Sequence, residues 1–143
     1  MSIRKYAKAP QPLIDGGQKE YLHRELTKLE NTTDDLIAAV NLSVNVQSGG
    51  SYTLLLSDQG KVIETNNGSA NTLTVPPNAS VSFPVGAIIA VTQLGAGQTT
   101  ITPGSGVTLR HWQSKFKTAG QYARATMYQR AINEWVLAGD LTT

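Results

Sequence analysis

The chain has 143 residues, a formal net charge of +2 and no cysteine. It is therefore bounded to one ordinary domain with an appendage, and neither a disulfide framework nor a thiolate metal site is available to it. Charged residues make up 15% of it, against roughly 25% in ordinary soluble domains, and Thr, Ser, Asn, Gln and Gly fill the difference. Such a surface suits contact with copies of itself, with other proteins or with carbohydrate. Its two small basic clusters, Arg4-Lys5-Lys8 and Arg110-Lys115-Lys117, fall short of the dense positive footprint that nucleic acid requires.

Residues 1–15 contain Pro10 and Pro12 and show no hydrophobic period. They read as an extended arm, since proline removes backbone donors and disfavours helix before it. The opening MSIRKYAKAP has no apolar run of the signal-peptide kind, and no apolar stretch of the chain approaches the ~18 residues of a membrane-spanning helix. The expectation is a protein made in a cytoplasm, without membrane insertion, that needs no redox help to fold.

From Gly16 to Leu42 the period is helical. Leu22, Leu29 and Leu36 take the d positions of a heptad, and Leu26, Thr33 and Val40 the a positions. Asp15 can cap the helix, although Gly16 and Gly17 weaken its first turn. The stripe is narrow and its flanks (Lys19, Glu20, Arg24, Glu25, Lys28, Glu30) are charged, the pattern of a short coiled coil between chains. The other reading is a helix packed on its own β domain. Leu at d with mixed residues at a does not fix the number of strands, and three heptads form a weak coiled coil alone.

Residues 43–50 end in Gly49-Gly50 and read as a linker, part of it extended because Leu42, Val44 and Val46 alternate. From residue 51 to 143 the pattern is short strands divided by turns. Strands are predicted at 52–56, 61–65, 71–75, 80–83, 87–93, 99–102, 107–110, 119–130 and 135–138, the last pairing back through Ile132-Asn133-Glu134. Many short strands at regular spacing predict a mainly β protein with an antiparallel sandwich or barrel-like C-terminal domain.

Catalytic signals are sparse. Gly95-Ala96-Gly97-Gln98-Thr99-Thr100 lacks the lysine and the following helix of a phosphate loop and reads as a hairpin turn. His23, on the helix, and His111, next to Trp112, are the only histidines and do not make a metal site by themselves, and Asp34-Asp35 are adjacent, so on a helix they diverge. The only carboxylates of the β region are Asp58, Glu64, Glu134 and Asp140, with Asp58 read as a turn residue. A glycosidase would need two on one scaffold. The expectation is a protein without enzymatic activity, cofactor or metal. Trp135, beside Val136 and Leu137, reads as core. Trp112, between His111 and Gln113, either caps the β core or stands exposed, where it could stack on a sugar ring or anchor a protein contact. Gln113, Lys115 and Tyr122 are the candidate contacts that accompany it.

The order of several short motifs carries a resemblance. Tyr52-Thr53-Leu54, Ser57-Asp58-Gln59-Gly60-Lys61, Leu73-Thr74-Val75-Pro76 and Phe83-Pro84-Val85-Gly86 come first. Gly95-Ala96-Gly97-Gln98-Thr99, Gly120-Gln121-Tyr122-Ala123 and Trp135-Val136-Leu137-Ala138-Gly139-Asp140-Leu141 follow. Across about two thirds of the chain this resembles a β module of tailed-bacteriophage structural proteins, and the front end is similar to phage neck or head-fibre proteins. The resemblance implies a virion component, a homotrimer held by its N-terminus with the β end outward. Its partners would be itself and a capsid, portal, adaptor or tail protein, reached through Arg4, Lys5, Tyr6 and Lys8, with a cell-surface glycan as the alternative target of a fibre tip. It brings no catalytic residues.

Overall fold

The computed structural model of the protein describes residues 16–40 and 42–143, and for residues 30–40 the backbone alone. The chain divides into two compact units, the helical segment and a β unit that begins at Leu42. Helix α1 spans Gly16–Val40, within the range expected from the heptads. Its exposed surface carries a Glu25–Lys28 ion pair at 2.7 Å, one turn apart, of the kind that gives a surface helix modest support. The residues of the expected arm lie outside the described residues.

The β unit is wound rather than folded into hairpins. β1 (Val44–Gln47) enters a first sheet, β2 (Ser51–Thr53) a second, and a single 3-10 turn (Leu56–Asp58) leads to β3 (Val62–Thr65) back in the first. β4 (Asn71–Val75) joins the second sheet, β5 (Ile88–Gln93) the first and β6 (Thr99–Pro103) the second. Each coil thus places one strand in each sheet, and neighbours from successive coils run parallel: Val44 beside Val62 beside Ala90, and Tyr52 beside Leu73 beside Ile101. Beyond the third coil the chain changes style. β7 (Thr108–Arg110), β9 (Arg124–Ala131) and β10 (Glu134–Gly139) extend the first sheet, and β8 (Lys117–Thr118) and β11 (Leu141–Thr142) the second. The orders are β1-β3-β5-β9-β10-β7 and β11-β8-β6-β4-β2.

The protein is mainly β with one helix, as expected, but the sheets are mixed and not antiparallel. β1–β3, β3–β5, β2–β4, β4–β6 and β7–β10 pair parallel, while β5–β9, β9–β10, β6–β8 and β8–β11 pair antiparallel. Short strands at regular intervals fit both arrangements. What separates them is whether a turn returns the chain to the same sheet or carries it across to the other, and these turns carry it across. Three local expectations change accordingly. The stretch 43–50 contains β1, which pairs with β3. Residues 80–83 form no strand, although Phe83 is buried there. The long strand expected at 119–130 is the later β9 alone, and only its Ile132-Asn133 hairpin into β10 forms as read, with Asn133 at φ 60°.

The two sheets enclose one core. Inward residues alternate along β4 and β6 (Leu73, Val75, Ile101) and meet Ile63, Ile89, Val91, Met127 and Leu137 of the other sheet. Trp135 is 1% exposed and meets the edge of Phe83, with ring centroids 5.3 Å apart at 88°. The first coil is closed by a polar group. Asp58 is wholly buried and accepts from the Tyr52 hydroxyl (2.7 Å), the Leu55 N–H (2.8 Å) and the Asn45 amide (2.8 Å). Desolvation pushes the Tyr52 pKa upward, and its hydrogen bond to Asp58 adds to the shift. At one corner, Gly95-Ala96-Gly97 carries the chain from β5 to β6 and lies on the corner before it. A Cβ at Gly97 would stand 1.9 Å from the Ser69 carbonyl oxygen, and one at Gly95 2.3 Å from that of Asn67. These glycines let successive corners stack, so the hairpin reading of that segment does not hold.

Candidate functional site

On the outer face of the first sheet, parallel pairing sets Arg110 of β7 beside Val136 of β10, and antiparallel pairing sets Val136 beside Tyr128 of β9. The row crosses three strands because directly paired residues of neighbouring strands point to the same face, and residues two apart along a strand join them there. Glu134 and Arg130 stand on the same face of β10 and β9. After β7 the chain turns through His111–Lys115, and a groove of about 700 Å³ lies between that loop and the row.

The loop is built around one histidine. His111 Nδ1 accepts from the backbone N–H groups of Gln113 and Lys115, each at 3.2 Å, and its carbonyl accepts from the Ser114 N–H at 2.9 Å. Two donors on Nδ1 require that nitrogen to be unprotonated, so Nε2 carries the hydrogen. Ser114 sits at φ 54°, in the left-handed region that a tight reversal demands. The turn lifts Trp112 to 84% exposure, its ring 6.4 Å from the His111 ring and tilted 45° to it. Of the two readings of Trp112, the exposed one holds.

Glu134 ties the two arginines together. It accepts from Arg110 Nε and, at 3.0 Å, from Arg130 Nη1. The Arg110 hydrogen bond holds the Glu134 carboxyl below its usual range; burial opposes it as the next largest effect, and the two arginine charges and the Arg130 hydrogen bond add to the lowering. Both arginine side chains remain more than half exposed. The groove therefore combines an indole face, a phenol ring, a carboxylate and two guanidiniums whose heads are held in place. Two cations against one anion leave it one positive charge.

The structure brings together only part of what the sequence marked. Of the candidate contacts, Trp112 lines the groove; Gln113 and Lys115 contribute backbone donors to His111. Tyr122 is exposed on the turn before β9, at φ 67°, and is not among the groove residues. Tyr128, Arg130 and Glu134 are not site residues in the sequence reading, because only the pairing of β10 with β7 and with β9 places them beside Trp112; Arg110, two residues from Trp112, enters that reading only as part of a basic cluster. The alternation of β9, exposed at Tyr128 and Arg130 and buried at Met127 and Gln129, was the one signal that could have found two of them. On α1, Leu22, Leu26 and Leu29 are 48%, 58% and 64% exposed. The side chains of Thr33, Leu36 and Val40, and the arm residues Arg4, Lys5, Tyr6 and Lys8, lie outside the described residues.

Among the described residues no cluster of three or more His, Cys, Asp or Glu side chains could hold a metal ion, and no helix is long and apolar enough to cross a membrane. No protein-family model matches the chain, and neither does any curated protein.

Proposed function

We propose that this chain is a non-enzymatic structural protein of a tailed-bacteriophage virion. In this reading it is a short trimeric fibre or decoration protein, attached by its N-terminal arm to the capsid or the head–tail neck, with the β unit displayed. The observation that carries the reading is the stripe of leucines on α1. Leu22 and Leu26 are about half exposed in the single chain, and covering the exposed half of each contributes roughly 1 kcal/mol, about half the value of a full leucine burial. A parallel bundle of three such helices covers them and gathers three arms at one end, so that avidity compensates for weak individual docking. The wound β unit fits display, since it holds its own core and leaves one sheet face outward.

The test is the absolute mass of the full-length protein by light scattering, repeated on residues 42–143. A mass of three chains that falls to one on truncation is expected. A full-length monomer refutes the seam, and a trimer that survives truncation moves the assembly to the β unit. Removing residues 1–15 should abolish virion attachment while the trimer persists; normal incorporation refutes the arm.

A second reading, a receptor- or glycan-binding tip, is favoured by the exposure of Trp112. A phage carrying Trp112→Ala should then adsorb poorly, and normal adsorption counts against it.

A further inference from the structure

We infer that the groove beneath Trp112 is a binding site for an acidic saccharide, a sugar chain bearing carboxylates. The inference makes the fibre-tip reading specific, and it rests on that reading only for its biological setting.

Saccharides present two surfaces at once, an apolar face of C–H groups and a rim of hydroxyls. The groove offers a partner for each. The indole of Trp112 is 84% exposed on a turn that the two hydrogen bonds to His111 Nδ1 hold in shape. The turn that presents this aromatic platform is shaped before any ligand arrives, so the backbone adds little ordering cost at binding. Tyr128 is also exposed and supplies a second ring. For the hydroxyl rim, Glu134 is an acceptor and the two guanidiniums are forks of donors. Glu134 engages one N–H of each arginine, and a guanidinium has five. The remaining donors suit a carboxylate, which Arg recognises in a planar, two-pronged way.

Charge selects the class. With two arginines and one glutamate, the groove favours an anion over a neutral chain, and repulsion from Glu134 limits how many anions it can seat. A peptide is a poorer fit. The groove is open and shallow, and it lacks the closed apolar pocket into which a peptide would bury anchoring side chains.

The full-length protein is suited to the test because it has only two tryptophans, one buried and one exposed. Acrylamide quenching reports Trp112 and is nearly blind to Trp135. A short oligogalacturonate should protect Trp112 saturably, and protection should weaken with added salt. An uncharged glucose oligosaccharide of the same length should bind at least about tenfold more weakly, the ratio expected for one well-placed ionic hydrogen bond. By calorimetry, Trp112→Ala should lower affinity for the acidic chain at least about tenfold. Arg130→Gln should remove the preference for the acidic chain while leaving binding of the neutral one in place. Unchanged near-ultraviolet circular dichroism from Trp135 shows that each variant remains folded.

Equal binding of the two saccharides refutes the charge argument. Absence of protection by either one at millimolar concentration refutes the site. Equal protection by a glutamate peptide refutes saccharide recognition. One chain builds the whole groove, so a protein that weighs one chain yet binds the acidic saccharide overturns the trimer and supports the groove. A trimer that binds neither saccharide overturns the groove alone.

Discussion

Asp58 offers the most direct trial of how the winding is held. It lies on the 3-10 turn that ends the first coil, fully buried, and joins β1 through Asn45, β2 through Tyr52 and its own turn through the Leu55 N–H. Replacing it with alanine removes three hydrogen bonds to a charged acceptor, each worth roughly 1.5–3 kcal/mol. The loss is offset because a carboxylate no longer has to be desolvated, which costs several kcal/mol. Water can also reach part of the vacated site, since Asn45 and Tyr52 are only half buried. The net expectation is about 2–4 kcal/mol of destabilisation. Urea unfolding followed through Trp135 should show it as a midpoint lowered by about 1–3 M. All samples should share one protein concentration, because assembly shifts apparent stability. Asp58→Asn should fall between, as its amide keeps an acceptor for Tyr52 and Leu55 but turns a donor toward the Asn45 donor. A loss below about 1 kcal/mol for Asp58→Ala refutes the reasoning, because a cost that small belongs to ordinary surface positions.

Tyr52→Phe should remove a source of alkaline instability. The Tyr52 pKa is raised above its ordinary 10.0 in the folded state, so its contribution is complete below pH 10.0 and is lost as pH climbs through the higher folded value. Urea midpoints of the native protein should then fall more steeply than those of the variant above that pH, and parallel slopes refute the raised Tyr52 pKa that desolvation and the Asp58 hydrogen bond produce. Glu134 carries the opposite sign. Its pKa is lowered from 4.5, so the contribution of its arginine pairs is present above that pH and lost as pH falls through the folded value. Carboxyl titration by NMR should place its midpoint below 4.5 and move it upward in Arg110→Gln; an unmoved midpoint refutes Arg110 as the main cause. Gly97→Ala should cost at least about 2 kcal/mol, because its Cβ would overlap the Ser69 carbonyl. A thermal midpoint within a degree or so of the native value, where ~1 kcal/mol shifts it by several degrees, refutes the stacked-corner account.

Strand positions were legible because burial alternates along them. Asn71–Val75 forms as read, and the strands beginning near residues 62, 88 and 99 are displaced by a residue or so. Trp135 was legible as core from its apolar neighbours. Topology was not. The turn signals Asn66-Asn67-Gly68 and Gly95-Ala96-Gly97 mark reversals of direction, and local chemistry does not say to which sheet a reversal leads. Stacking rests on the fit of Gly95 against Asn67 and of Gly97 against Ser69, residues about 28 apart in sequence, a spacing that becomes visible only when both corners are placed. Asp58 illustrates the same limit: its sequence neighbours identify a turn, whereas its partners Asn45 and Tyr52 come from two different sheets.

The groove owes its existence to the point where the winding stops. Were the pattern to continue, β7 would lie beside β5 as the next parallel strand of the first sheet. Instead the β9–β10 hairpin occupies that place, with β9 on β5 and β10 between β9 and β7. β7 is thereby moved to the far edge of the sheet, and the loop that follows it must travel back toward the second sheet, where β8 pairs with β6. That displacement sets Trp112 over a row of hairpin residues that the sequence keeps some twenty positions away. The outward residues of the row can change without altering the inward Leu109, Met127, Trp135 and Leu137, because the two sets alternate along the same strands. Recognition and core packing are thus separated by strand periodicity, which lets one wound scaffold carry different surface chemistries at this edge.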